Sequence, residues 1–300
     1  MPTKTESLRI LTRSRTPFND IYVIEQENLR EMWFKGGGQF YLQSRIAVDS
    51  PDDLALVYTR LLLAPFMWNP NPVRILLIGL GGGVLPRFLH AAFPEMEIDV
   101  VELDPGVIEL ARRYFHFKES PRLRIFQGDG RAFVKQKTDA YDMVFLDAFK
   151  AGSVPYHLKT CEFYREILQS MKKDGVLATN LYGKSNSLKP RDRKTLESVF
   201  QSVSLFDDPG GVATVCVALL SNESAPPEVL RKFIIHLPEA VQRNLSWLSN
   251  RDMIDAGSPI EPGGSVFKDD FEASEFFKTV QRNNRNDPFF NHPYPIRNSS

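Results

Sequence analysis

The stretch RILLIGLGGGVLPRFLHAAFPEMEIDVVELD, residues 74–104, decides the fold. It reads as strand, glycine turn, helix and strand, and it ends on an acid. Ile75, Leu76, Leu77 and Ile78 form an apolar run closed by Gly79, the pattern of a strand buried on both faces of a parallel sheet. The turn that follows carries Gly79, Gly81, Gly82 and Gly83. Without Cβ atoms a ligand comes close to the backbone there, where the next helix presents its unpaired N–H groups. Ile98, Val100 and Val101 make a second buried strand. Glu102 stands near its carboxyl end, about 20 residues past the turn, where acids meet ribose hydroxyls in nucleotide-binding βαβ units. Val84 occupies the last glycine position of the dinucleotide fingerprint, so the spacing is G-x-G-x-G and the unit reads as a nucleoside site. The alternative is a tight turn in an ordinary α/β domain.

Working outward, strands and helices alternate. Helices are expected at 105–115, 162–171 and 194–203, and strands at 123–126, 141–146, 175–180 and 212–220. Such alternation argues for a parallel-dominated, doubly wound sheet with helices on both faces. Ligands in that architecture bind outside the carboxyl ends of the strands, where strand order reverses. Gly79, Glu102, Asp129 and Asp147 all fall at such ends, on four successive strands, although a lone Asp129 would equally suit a turn or a cap. Upstream, the β-branched and aromatic runs 21–24, 32–34 and 40–48 suggest a small antiparallel set of strands. Asp49 or Ser50, followed by Pro51, Asp52 and Asp53, reads as the start of a helix running through Leu62. Downstream, 226–248 suits one or two helices, and 250–300 reads as a polar arm or tail. The chain thus divides into an N-terminal β-subdomain (1–50), a Rossmann-like nucleoside-binding catalytic domain (51–222) and a C-terminal helical extension with its tail (223–300).

Lysine plus arginine, 37, equals aspartate plus glutamate, so no global charge draws the chain to nucleic acid or to an anionic membrane. Two cysteines, Cys161 and Cys216, are too few for a disulfide framework and fit a reducing, cytoplasmic setting. The N-terminal ten residues lack an apolar core of signal-peptide length. The most apolar long stretch, 54–68, is broken by Arg60 and is too short to span a membrane. The five histidines, at 90, 116, 157, 236 and 292, show no metal-ligand spacing, and no metal is expected.

The set ILLIGLGGGVLPRF, VELDPGVIELARRYF, GDGRAF, YDMVFLDAF and EFY resembles the spermidine synthase (polyamine aminopropyltransferase) superfamily over residues 18–220. That superfamily is a branch of the class I S-adenosylmethionine-dependent methyltransferase fold. The resemblance implies a seven-stranded methyltransferase-type sheet behind an N-terminal β-subdomain, a role in polyamine biosynthesis, a homodimer formed through those subdomains, and S-adenosylmethionine or its decarboxylated form as donor, with no metal. It implies that Glu102 binds the donor ribose and that Asp129 with the Gly130 backbone holds the adenine amino group. Gly79, Gly81 and Gly83 line the sulfonium side chain, and Gln43, or otherwise Gln39, lies against the donor. Asp147 touches the donor and takes the proton from an attacking amine, while Tyr58 and Lys150 fall on the acceptor side.

Several positions depart from the family pattern. Gly81 stands where the synthases keep an aspartate for the aminopropyl end of the donor. Lys150 replaces a second acid for the polyamine chain. Leu54 and Ala55 replace an Asp-Glu pair, and Thr59 replaces a histidine or glutamine. A cationic diamine loses attractive partners and meets a like charge. Three readings follow: aminopropyl transfer to a small-molecule acceptor such as an amine, methyl transfer from S-adenosylmethionine, and nucleoside binding without catalysis.

Overall fold

In the computed structural model the described residues are 8–150, 152–181, 188–208, 213–221, 234–246, 265–270, 274, 276 and 278–281. Four antiparallel strands open the chain in sequential order: β1 (Arg9–Arg15), β2 (Asp20–Gln26), β3 (Leu29–Gly36) and β4 (Gln39–Ala47). A short helix α1 (Val57–Leu61) leads to β5 (Arg74–Ile78), α2 (Val84–Ala92), β6 (Glu97–Glu102), α3 (Pro105–Tyr114), β7 (Leu123–Gln127), α4 (Gly130–Val134) and β8 (Tyr141–Leu146). Then come α5 (Cys161–Ser170), β9 (Met171–Asn180), α6 (Lys189–Glu197), β10 (Ser202–Asp207), β11 (Thr214–Leu219) and α7 (Glu239–Leu245). The second sheet has seven strands in the order β10-β11-β9-β8-β5-β6-β7. From β9 to β7 neighbours are parallel, and β11 runs antiparallel to both β9 and β10. This is a doubly wound, seven-stranded methyltransferase-type α/β sheet preceded by a separate antiparallel sheet.

Side chains alternate across this sheet and divide the core in two. Ile75, Leu77, Ile98, Val100 and Phe145 face α2, α3 and the inner face of the N-terminal sheet, where Ile21, Val23 and Met32 join the same cluster. Leu76, Ile78, Val144 and Leu146 face α5 and α6. Polar ties fix the N-terminal sheet in place. The Asp104 side chain caps α3 through Gly106 N–H at 2.9 Å and accepts from Thr16 Oγ1 at 2.7 Å and Asn19 Nδ2 at 2.8 Å. Gly82 N–H donates to Ser44 Oγ at 3.0 Å.

Two expectations are corrected. No helix starts at Asp49 or Ser50: the Asp49 carboxylate is taken by Asn28 and Ser50, Arg87 ties down the Pro51 carbonyl, and α1 spans only Val57–Leu61. The helix expected at 194–203 begins earlier, with Pro190 in its first turn, and ends at Glu197. Val203 instead belongs to β10, which pairs with β11 from Ser202↔Leu219 to Asp207↔Thr214. Strand β1 escaped the sequence pattern because RILTRSR is an exposed, charged edge, the kind of strand that resists further pairing. In the 226–248 region the described helix is α7; the rest of that region, and most of 250–300, lies outside the described residues. Among the described residues no helix is long and apolar enough to cross a membrane.

Candidate active site

One cavity opens at the carboxyl ends of β5, β6, β7, β8 and β9. It is lined there by Gly79, Glu102, Asp129, Asp147 and Asn180, and roofed by Phe34, Tyr41 and Gln43 of the N-terminal sheet. Strand order reverses between β5 and β8, so the cavity sits at the switch point expected of this architecture. The same order gives it two ends, with Glu102 and Asp129 on one side of β5 and Asp147 and Asn180 on the other.

The Glu102 carboxylate is aimed by the backbone. Oε2 accepts from Leu80 N–H and Oε1 from Asp104 N–H, both at 2.9 Å. Each oxygen keeps acceptor capacity for a hydroxyl. Burial raises its pKa against the pull of those two bonds. Asp129 caps α4, with Oδ1 accepting from Ala132 N–H at 2.9 Å, and its Oδ2 lies 2.8 Å from His157 Nε2. Desolvation pushes the Asp129 pKa up, but the Ala132 and His157 contacts outweigh it and leave the carboxylate below its usual range.

Asp147 is the most perturbed acid of the cavity. Burial pushes its pKa up to about 7, opposed by the Asn180 amide, whose Nδ2 donates to Oδ1 at 3.1 Å, and by Tyr58. The Tyr58 hydroxyl donates to the Gln43 carbonyl at 3.2 Å, and burial holds its own pKa well up. Gly79 adopts a φ of +103°, and a Cβ there would lie 2.3 Å from the Asp147 carbonyl oxygen. A side chain is therefore excluded where the turn crosses the end of β8.

Of the residues singled out in the sequence, Gln43, Tyr58, Gly79, Gly81, Glu102, Asp129, Gly130, Asp147 and Lys150 all line this cavity. Lys150 is exposed at the rim, where its N–H pairs with the Ser153 carbonyl at 2.8 Å. Gly83 is not on the wall. It is the left-handed N-cap of α2, and a Cβ there would meet the Phe117 ring at 2.5 Å, so its glycine serves packing. Gln39, the other glutamine considered, accepts from the Tyr41 hydroxyl at 3.2 Å and is not on the wall. Sequence reasoning passed over Asn180 and His157. Asn180 was legible as one more polar residue at a strand end. His157 stands 28 positions from Asp129, and nothing local announces their contact. Among the described residues no group of three or more His, Cys, Asp or Glu is placed to hold a metal ion.

The profile of the spermine/spermidine synthase domain matches residues 56–207, half of the chain, and takes in all five strand ends that line the cavity. The chain belongs to the spermine/spermidine synthase family. It is thus a transferase related to the aminopropyltransferases. It is 36% identical over 204 residues to the polyamine aminopropyltransferase of Vibrio vulnificus, covering 67% of this chain and 68% of that protein. The probable spermidine synthase from Corynebacterium glutamicum shares the fold at a TM-score of 0.66 and 18% identity, covering 88% of this chain and 98% of that one. Human methyltransferase-like protein 13, solved in complex with SAH, is 26% identical at a TM-score of 0.53, covering 73% of this chain and 96% of that one. Both branches of adenosyl-donor chemistry are therefore represented among its relatives.

Proposed function

We propose that this protein transfers an aminopropyl group from decarboxylated S-adenosylmethionine to a small amine. The observation that carries the reading is the placement of Glu102, Asp129 and Asp147 at the ends of parallel strands on both sides of β5 around one cavity. In this reading Glu102, held by two N–H donors, takes the ribose hydroxyls, and Asp129 with Gly130 takes the nucleobase. The Gly79–Leu80–Gly81 turn and Gln43 flank the sulfonium substituent, and Tyr58 and Lys150 border the acceptor. A sulfonium is already an activated electrophile, so the protein's work is to align the acceptor and keep its nitrogen unprotonated. Asp147 suits that work: a carboxylate whose pKa is about 7 accepts a proton near neutral pH and returns it readily. The three-part division 1–50, 51–222 and 223–300 belongs to the same proposal, with the first part closing the cavity from above.

Gly81 favours a second reading, methyl transfer from S-adenosylmethionine. It leaves the turn without a carboxylate for the ammonium of an aminopropyl chain. Its N–H has no hydrogen-bond partner among the described residues, which suits the carboxylate that only the undecarboxylated donor carries. Calorimetry with both donors, followed by mass spectrometry of reactions with primary amines, separates the readings. Tighter binding of the decarboxylated donor, with methylthioadenosine as product, supports aminopropyl transfer. Tighter binding of S-adenosylmethionine, with S-adenosylhomocysteine as product, supports methyl transfer. Binding of neither donor sinks both.

A further inference from the structure

The residues 265–270 lie more than a hundred positions downstream of Asp129, yet they pack against the stretch that walls this end of the cavity. Phe267 is fully buried in a cluster with Phe276, Val280, Tyr156 and Leu188. Its carbonyl accepts from Cys161 N–H at 2.9 Å and its N–H donates to Thr195 Oγ1 at 3.0 Å, tying the segment to α5 and α6. The Lys159 ammonium, paired with Asp192 at 2.8 Å, stands over both the Phe267 and Phe276 rings. The Tyr156 hydroxyl bonds the Lys268 carbonyl. The segment thus grips residues 156–161, of which His157 and Leu158 line the cavity together with the preceding Pro155.

A second set of contacts joins the segment to Arg131 on α4, the helix that Asp129 caps. Arg131, two residues along on α4, is largely buried, and its guanidinium is shared by three partners. Nε and Nη2 reach Glu166 at 2.6 and 2.7 Å, Nη1 and Nη2 reach Asp269 at 2.8 and 2.7 Å, and Nη1 donates to the His157 carbonyl at 3.2 Å. Asp269 also accepts from Thr160 Oγ1 at 2.7 Å, and that hydroxyl in turn caps α5 by accepting from Phe163 N–H. A bidentate, partly buried arginine–carboxylate pair fixes orientation as well as distance. Glu166 alone would hold Arg131 to α5. Asp269 holds the same guanidinium that donates to the His157 carbonyl and also bonds Thr160 just beyond it, and the His157 imidazole lies 2.8 Å from Asp129.

We infer that Asp269 is a positioning residue for the nucleoside end of the cavity, acting through Arg131 and the residue 155–158 wall to hold His157 against Asp129. The inference rests on the donor-site reading given above and adds the C-terminal segment to that site.

The test is a double-mutant cycle on the full chain, read as methylthioadenosine affinity by calorimetry. Asp269→Ala is expected to weaken binding about tenfold, and His157→Ala by a similar factor, within the span that coupled contacts show. In the His157→Ala background the Asp269→Ala penalty should fall to about twofold or less, since the wall it positions has lost its working group. Asp269→Asn, which keeps an acceptor for Thr160 and Arg131, should recover part of the loss, and it carries the test if the alanine variant does not fold. Wild-type-like affinity in Asp269→Ala, or penalties that simply multiply, overturns the inference and leaves the donor-site reading standing. Failure of the wild-type protein to bind methylthioadenosine overturns both.

Discussion

Replacing Asp147 by asparagine should remove the reaction and stabilise the protein at the same time. The carboxylate titrates at about 7, against 3.8 for a free aspartate, because burial disfavours its charged form. The folded state therefore binds the proton more tightly than the unfolded chain. The associated stability is fully present below the unfolded value and is lost as pH rises through about 7. Raising the carboxyl from 3.8 to about 7 corresponds to roughly 4 kcal/mol at pH 8. Asparagine keeps the shape and offers its carbonyl to Asn180 Nδ2, so most of that penalty should be relieved. Thermal melts should show the variant more stable than wild type by several degrees at pH 8 and by little at pH 4. Initial rates with decarboxylated S-adenosylmethionine and a primary amine should fall by about 10²–10⁴ in kcat/KM, the usual worth of a general base. The wild-type kcat/KM should rise with pH through about 7. A variant that keeps more than about a tenth of the activity, or is less stable than wild type at pH 8, would refute the assignment.

Gly81→Asp tests the choice between the two proposed donors. At φ +53°, in a region aspartate tolerates, its Cβ would lie 3.5 Å from the Gln43 carbonyl and the Ser44 hydroxyl, and calorimetry should show affinity moving about tenfold toward the decarboxylated donor. An unchanged donor ratio would show that the turn does not meet the transferred chain. Gly79→Ala, with a Cβ 2.3 Å from backbone and a positive φ, should cost about 3 kcal/mol or more in denaturant unfolding and abolish nucleoside binding; a wild-type melt would contradict the packing described. Glu102→Gln places an amide where two backbone N–H groups point, so methylthioadenosine affinity should fall at least tenfold, and a smaller loss would move the ribose elsewhere.

Much of this molecule is legible locally. The parallel strands are short apolar runs that end on glycine or an acid, so the positions of Glu102, Asp129 and Asp147 follow from periodicity once the sheet is recognised. What periodicity does not carry is sheet order. The cavity has two ends because β8 and β9 lie on the opposite side of β5 from β6 and β7, and that order is a tertiary result. The helix expected at 194–203 runs into the first two residues of β10 because SVSLFD mixes both periods, and pairing with β11 decides the matter. The contacts of His157 with Asp129, and of Arg131 with Asp269, join residues 28 and 138 positions apart, and each partner read alone is an ordinary loop or helix charge.

The glycine turn and the proposed base are one mechanical unit, which explains why so little machinery surrounds the reaction. Asp147 N–H donates to the Ile78 carbonyl and Gly79 N–H to the Val101 carbonyl, both at 2.9 Å, so β8, β5 and β6 are stitched together at the height of the cavity floor. Gly79 then crosses Asp147 at a distance that admits no side chain. A donor seated on this turn and on Glu102 has its position set by the same backbone bonds that set the carboxylate. Alignment between electrophile and base therefore comes from sheet register and needs no flexible loop to create it. Gly81 and Lys150 make none of these bonds, and both are among the positions where the chain departs from the pattern of the synthases it resembles. Donor and acceptor choice should consequently change by substitution at those two sites without loss of the fold or of the base.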